Sequence, residues 1–255
     1  MTKKVPYKND FKLVEGNELI SQFILYTSVA ISVITLLIDN GNYVQDKKPT
    51  LLFLNSFNCI LAIAYFVSDM VCNYLFQAAE AKKRNDFFDN SLQTYLSEEN
   101  SEGYFSNDHL SPGIKKMGVN CFENAFFSKS VANKMLKPIL IKSALVLILF
   151  LCVALFTNHE LLNFFLQLVL PFTIIQQTIR FIIYTHRLEA IVNKFQYIFS
   201  STTDGQQTQL IIHNMTSYES NQAWACIKLD SKLFDKMNDA LSEKWERIKH
   251  KYGII

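Results

Sequence analysis

A chain of 255 residues with 49% hydrophobic side chains and only 7 Gly and 5 Pro is too apolar, and too sparing of turn formers, for an ordinary soluble domain. Its charges nearly cancel, to +2, and stand apart from the apolar residues, leaving long charge-free stretches. That clumping, more than the mean, sets the class.

A bilayer core about 30 Å thick needs about 20 mainly apolar residues of helix to cross it. Four windows reach that length. Leu19 to Ile38 holds no charge, and neither does Thr50 to Ser68, whose apolar character continues past Asp69 to Phe76. Pro138 to Thr157 carries only Lys142, near enough to one end for its stem to snorkel, and Leu161 to Ile179 is uncharged up to Arg180. A soluble helical core would show a polar face along each helix, and the run Ser143 to Phe156 shows none. The first window starts late and lacks a small-residue cleavage pattern, so it reads as a retained span, not a signal peptide.

The sequence therefore predicts an all-α membrane protein. Four transmembrane helices form two hairpins, with a cytoplasmic helical insertion and a helical C-terminal tail. The boundaries are 1–18 for an N-terminal segment, 19–76 for the first hairpin, 77–137 for the insertion, 138–184 for the second hairpin and 185–255 for the tail. Positive charge is retained on the cytoplasmic side. Lys3, Lys4, Lys8 and Lys12 precede span one, Lys82, Lys83 and Arg84 follow span two, and Lys129, Lys134 and Lys137 precede span three. Arg180, Arg187 and Lys194 follow span four, whereas the outer loops offer only Lys47 and Lys48. Both termini and the insertion are accordingly cytoplasmic, in a multi-pass membrane protein.

Span two is expected to continue as a helix through Gln77-Ala-Ala-Glu-Ala-Lys-Lys-Arg84, a run of strong helix formers, with Phe87, Phe88, Leu92, Tyr95 and Leu96 as a packing stripe after it. Ser97 to Gly113 reads as a loop. Gly118 to Lys129 then sets Phe122, Phe126 and Phe127 around Glu123 and Asn124: either an interfacial helix lying on the headgroups, or a signal motif whose Glu123, Asn124, Phe126 and Phe127 make cytoplasmic contacts. In the tail, Asp204-Gly205 signals a turn and a single helix is expected from about Tyr218 to His250. There Trp224, Ile227, Leu233, Phe234, Met237, Leu241, Trp245 and Ile248 form an amphipathic face that needs a partner.

Ionisable residues in membrane helices are functional candidates because lipid disfavours them. Asp69 and Arg180 reach the cytoplasmic interface at similar depth and form a candidate interhelical pair or gate. Asn55, Asn58, Tyr65, Asp69 and Asn73 recur at helical spacing on span two. Ser21, Ser28, Ser32 and Thr35 do so on span one, and Gln167, Gln177, Arg180 and Tyr184 lie on span four. Asn55, Asn58, Tyr65, Asn73 and Gln177 are thus a candidate polar face, which serves either as adhesive between helices or as the lining of a narrow hydrated path. Pro171 is the expected interior helix breaker.

Cys59, Cys72, Cys121, Cys152 and Cys226 form no CxxC pair, and Asn214-Met-Thr216 would be a chance sequon on the cytoplasmic side. His109, His159, His186, His213 and His250 are scattered, and no phosphate loop or nucleophile motif occurs. No enzyme activity, metal, cofactor or nucleic-acid partner is expected; the expected partners are the lipid bilayer, further copies of the chain, and a cytoplasmic protein or nucleotide signal.

The run Ala78-Ala79-Glu80-Ala81 leading into Asp86-Phe-Phe-Asp-Asn-Ser91, directly after span two, resembles the bacterial four-transmembrane effector family associated with nucleotide-second-messenger (SMODS/CBASS-type) anti-phage defence. The general plan is similar too, although the tail holds no counterpart of the family's Ile-Gln-Asp segment. The resemblance implies an antiviral defence effector, silent until a signal reaches its cytoplasmic part, which then forms a pore or otherwise permeabilises the membrane by oligomeric rearrangement. A non-lytic scaffold or regulator that recruits a cytoplasmic partner is the other reading of the same plan.

Overall fold

A computed structural model of the chain describes residues 4–40, 46–105, 107–155, 161–201 and 204–254. Lys3, residues 156–160 with His159, and the side chains of Cys152, Gln167 and Pro171 lie outside the described residues. In chain order the helices are α1 (Lys8–Asn40), α2 (Lys47–Leu92), α3 (Ile114–Leu155), α4 (Leu161–Ser201), α5 (Asp204–Ala225) and α6 (Ser231–Tyr252). No strand occurs among the described residues, which hold one isolated antiparallel bridge between Lys4 and Glu102. Among the described residues two helices, α1 and α2, are long and apolar enough to cross a membrane.

The 46 residues of α2 run through the Ala-rich segment without a break. The helix ends at Leu92 because Gln93 takes a left-handed φ of 57°, so Tyr95 and Leu96 stand in the following loop and are exposed. That removes them from the helical stripe expected from their spacing. Pro138 lies inside α3, so Pro171 is not the sole interior breaker. Its missing N–H takes one bond from the helix ladder, which nonetheless continues to Leu155.

The segment with two readings, an interfacial helix or a signal motif, is the first part of α3, and its Phe122 and Phe127 are buried, not laid on headgroups. The single tail helix is also two. Asp204 and Gly205 begin α5 instead of forming a turn, and the chain breaks between Ala225 and Ser231. Cys226, at φ 46°, ends α5, and Asp230 caps α6 by accepting the Leu233 N–H at 2.9 Å. At the other end Gly253, at φ 61°, lets Ile254 N–H reach the Lys249 carbonyl at 3.0 Å.

The chain forms two compact units. One comprises Met1–Phe11, Phe76–Leu136 and Phe181–Ile255. Its core centres on Phe122, fully buried, which stacks on Phe195 at 5.5 Å and Phe199 at 6.0 Å and meets Trp245 edge-on at 5.1 Å. Leu241, Trp245 and Lys249, four residues apart, are the buried stripe of α6. The unit thus packs α3 against both α4 and α6 through aromatic side chains, each contributing about 1.5–3 kcal/mol by burial.

The other unit comprises Lys12–Leu75 and Lys137–Arg180. Leu25 and Val29 of α1, Tyr65 and Ala62 of α2, Val146 of α3 and Ile174 of α4 pack together there, so all four helices share one cluster. Its surface is the reverse of a water-soluble fold. Phe23, Leu52, Phe53, Ile60, Phe66 and Tyr74 are more than half exposed, while Ser21, Ser28, Ser32, Thr35, Asn58 and Thr178 are buried. Only 6% of the apolar window of α2 is buried.

Candidate functional site

The buried polar residues of this second unit form a seam. Ser28 Oγ of α1 donates to Asn58 Oδ1 of α2, Asn58 Nδ2 donates to Ser32 Oγ at 2.9 Å, and Ser32 Oγ donates to the Ser28 carbonyl at 3.0 Å. Serines four apart lie on one face of α1, and a single Asn amide, with both a donor and an acceptor, serves both of them. A second α1–α2 bond joins Ser21 Oγ and Ser68 Oγ at 2.6 Å. Toward the end of the span, the buried Tyr65 hydroxyl accepts from Gln177 Nε2 of α4 at 2.7 Å. The seam therefore ties α1 to α2 and α2 to α4. Ser21, Ser28 and Ser32 are the span-one row expected from their spacing, whereas Ser68, three residues after Tyr65, is an addition to the span-two row that the same helical spacing could have found.

Among the described residues no ion pair joins Asp69 to Arg180. Asp69 Oδ2 accepts from Asn73 Nδ2 at 3.0 Å, a partner one turn along the same helix. An i,i+4 partner needs no second helix to approach, which explains why the carboxylate is taken locally. Arg180 Nε is buried, with no hydrogen-bond partner among the described residues. Asn55 continues the same row and is half-buried.

In the first unit, Glu123 enters a polar network. Asn107 Nδ2 donates to Glu123 Oε2 at 2.6 Å and to Asn120 Oδ1 at 2.9 Å. Asn120 Nδ2 donates in turn to Asn90 Oδ1 at 2.9 Å and Ser91 Oγ at 3.0 Å. Asn107 and Asn120 are fully buried. Asn124 is half-buried and takes no part in this network. Phe126 and Phe127 are packing residues: Phe126 stacks on Trp245 at 6.2 Å, and Phe127 tilts onto Phe234 at 6.0 Å.

The run after span two has a structural task beside this network. Asp86 accepts from Ser101 N and Ser101 Oγ, each at 2.7 Å, and Asp89 accepts from Thr94 Oγ1, Leu96 N and Ser97 N, each at 2.8 Å. Two carboxylates three residues apart on the end of α2 thus fold the polar loop back over the helix. The loop's Ser, Thr and Asn content was the clue that such acceptors were needed. Burial disfavours the Asp89 charge, but those three donors outweigh it and hold the carboxyl below the usual carboxylate range.

Burial also opposes the charge on Lys83, yet the Glu80 carboxylate at 3.0 Å keeps its ammonium well above the ordinary lysine range. Tyr7, Tyr104 and Tyr218 stand within electrostatic reach of that pair, and burial pushes each phenol up. Burial, reinforced by Glu219, pushes the Cys121 thiol well above its ordinary value. Arg84 Nε meets Glu219 Oε2 at 2.7 Å, linking α2 to α5.

Among the described residues no group of three or more His, Cys, Asp or Glu is set to hold a metal ion. No family model, curated protein or solved structure matches the chain. What the geometry offers is a polar seam inside an apolar-surfaced unit and, in the other unit, a buried network that fixes one loop.

Proposed function

We propose that the protein is a multi-pass protein of the bacterial inner membrane with four spans in two hairpins, both termini and the insertion being cytoplasmic. Within it, we propose that it acts as an effector of anti-phage defence: a cytoplasmic protein or nucleotide signal shifts the population from a closed state to one that permeabilises the membrane, through rearrangement of several copies. The single observation that carries the membrane part is the inversion of the second unit, with Phe23, Phe53 and Tyr74 outward and Ser28, Ser32 and Asn58 inward. In water that outward surface would far exceed the apolar patches of a soluble monomer.

The effector part rests on the resemblance of Asp86-Phe-Phe-Asp-Asn-Ser91 and on the seam. Side-chain hydrogen bonds along a helix interface hold it shut while unsolvated, and water can replace each one. Asp69 and Arg180 would then be free to meet as the interface shifts. A second reading, the non-lytic scaffold, is favoured by one feature: the Ser28, Ser32 and Asn58 bonds are mutually satisfied, as a purely adhesive interface requires.

Expression together with the activating system tests the choice. Depolarisation of the cells supports the effector; an intact membrane potential under confirmed activation leaves the scaffold.

A further inference from the structure

The break between α5 and α6 occupies a particular level of the first unit. Gln77 Nε2 of α2 donates to the Ala223 carbonyl at 3.1 Å and to Cys226 Sγ at 2.9 Å. Asp230 N–H reaches Met135 Sδ of α3 at 3.4 Å. Trp224 lies against Arg187 of α4, whose guanidinium carbon is 4.4 Å from the ring centroid. Each of these helix positions marks a change of character. Gln77 follows the last large exposed apolar side chain of α2, Tyr74, and Met135 lies just before the exposed apolar run of α3 that begins near Leu140. On α4, Ile183 and Arg187 are one turn apart on one exposed face.

Trp224 is 45% exposed although it is held on one side by the Arg187 stack. A tryptophan half-packed and half-open, at the level where several helices turn from apolar to polar, has the placement of an interfacial anchor. Arg187 is exposed, and among the described residues no carboxylate pairs with it; the nearby Glu189 is taken by Lys129 at 3.1 Å. With the guanidinium carbon over the ring and no carboxylate paired with it among the described residues, the N–H fork of Arg187 remains to be used, and such a fork matches two oxygens of a phosphate. An apolar side chain one turn earlier on the same face suits the start of an acyl chain.

We infer that Arg187 and Trp224 form a headgroup site for an anionic phospholipid, the arginine edge binding the phosphate while the indole lies at the lipid–water boundary. The occupant is a lipid because the cation is joined to an apolar row and an open aromatic ring, whereas a soluble phosphate would use neither. The cytoplasmic leaflet supplies the negative charge. The site rests on the membrane reading given above.

The test uses the full chain reconstituted in nanodiscs containing brominated phosphatidylglycerol or, at equal bromine content, brominated phosphatidylcholine. Trp224 is the open indole; Trp245, 1% exposed, is shielded from lipid bromine. Phosphatidylglycerol should quench tryptophan emission more than phosphatidylcholine does, Trp224→Phe should remove the quenching, and Arg187→Gln should bring the phosphatidylglycerol signal down to the phosphatidylcholine level. Arg187→Lys should fall between, since it keeps the charge and loses the planar fork. Equal quenching by the two lipids, or quenching that survives Trp224→Phe, overturns the site while leaving the membrane reading standing. A chain that stays in the aqueous fraction and enters no nanodisc overturns both.

Discussion

Asn58 of α2 and Ser32 of α1 are joined by a 2.9 Å hydrogen bond in which both partners are buried. The amide is also the acceptor for Ser28, so one side chain holds two positions of the neighbouring helix. Removing it leaves the Ser28 hydroxyl without its acceptor, and leaves Ser32 only the bond that its hydroxyl already donates to the Ser28 carbonyl. Hydrogen bonds between membrane helices are modest, about 0.6 kcal/mol on average and up to about 1.7. Asn58→Ala should therefore lower stability in detergent by about 1–2 kcal/mol, whereas Asn58→Gln should recover part of it. Unfolding of the purified protein, followed by circular dichroism, checks both values.

Gly118 of α3 faces Ile211 of α5. A Cβ built on Gly118 would lie 2.8 Å from Ile211 Cγ2 and 2.9 Å from its Cδ1. Isoleucine is stiff at χ1 in a helix, so Cγ2 has little room to yield. Gly118→Ala should destabilise by about 1–3 kcal/mol from overpacking, against the roughly 1 kcal/mol that alanine gains in helix propensity. In an Ile211→Ala background the added methyl enters space that the isoleucine has vacated. The cost of Gly118→Ala should then shrink or change sign, and a double-mutant cycle in thermal melts measures that coupling.

Trp245 carries the docking of α6, through its edge-on contact with Phe122 at 5.1 Å. Trp245→Ala should cost about 3–5 kcal/mol and open α6 to proteolysis, while Trp245→Phe should retain most of the packing. Limited proteolysis followed by mass analysis should find new cleavage within residues 226–252 in the alanine variant alone.

The Asp89 carboxyl is held below its ordinary value of 3.8 by three donors that outweigh its burial. A depressed folded-state value means that the stabilisation is fully present above that ordinary value and is lost as pH falls through the folded one. Stability of the wild type should fall below about pH 4. Asp89→Asn should be less stable at neutral pH and should show a shallower loss on acidification. Denaturant midpoints measured across that range supply the comparison.

Local rules made much of this legible in the sequence. The Ala-rich run after Phe76 forecast that α2 would continue, and it does so to Leu92, because strong helix formers need no tertiary help to extend a helix already nucleated. The spacing of Asn55, Asn58, Tyr65 and Asn73 put them on one face, and the serines of α1 meet Asn58 there. Long-range partners were less legible. Nothing near Glu123 announces Asn107, sixteen residues earlier across a loop, and nothing near Asp69 shows that Asn73, not Arg180, takes its carboxylate. The α5–α6 break is hidden in the sequence because Asp230 lies inside a continuous apolar spacing of helical period; its capping bond to Leu233 is a short-range signal that the periodicity masks. The same spacing places Trp224 on the amphipathic face of one helix, whereas it stands at the end of α5 against Arg187.

The central claim is that the seam of α1, α2 and α4 is a closed path whose hydrogen bonds keep it dry. Potassium efflux from liposomes carrying the purified protein tests it most directly, comparing the wild type with Asn58→Ala and Gln177→Ala. The account predicts tight vesicles for the wild type and a raised basal leak for both variants, since each removes a bond that ties α2 to a neighbouring helix. Folded, correctly inserted variants as tight as the wild type would contradict it, and would make the seam an adhesive and nothing more.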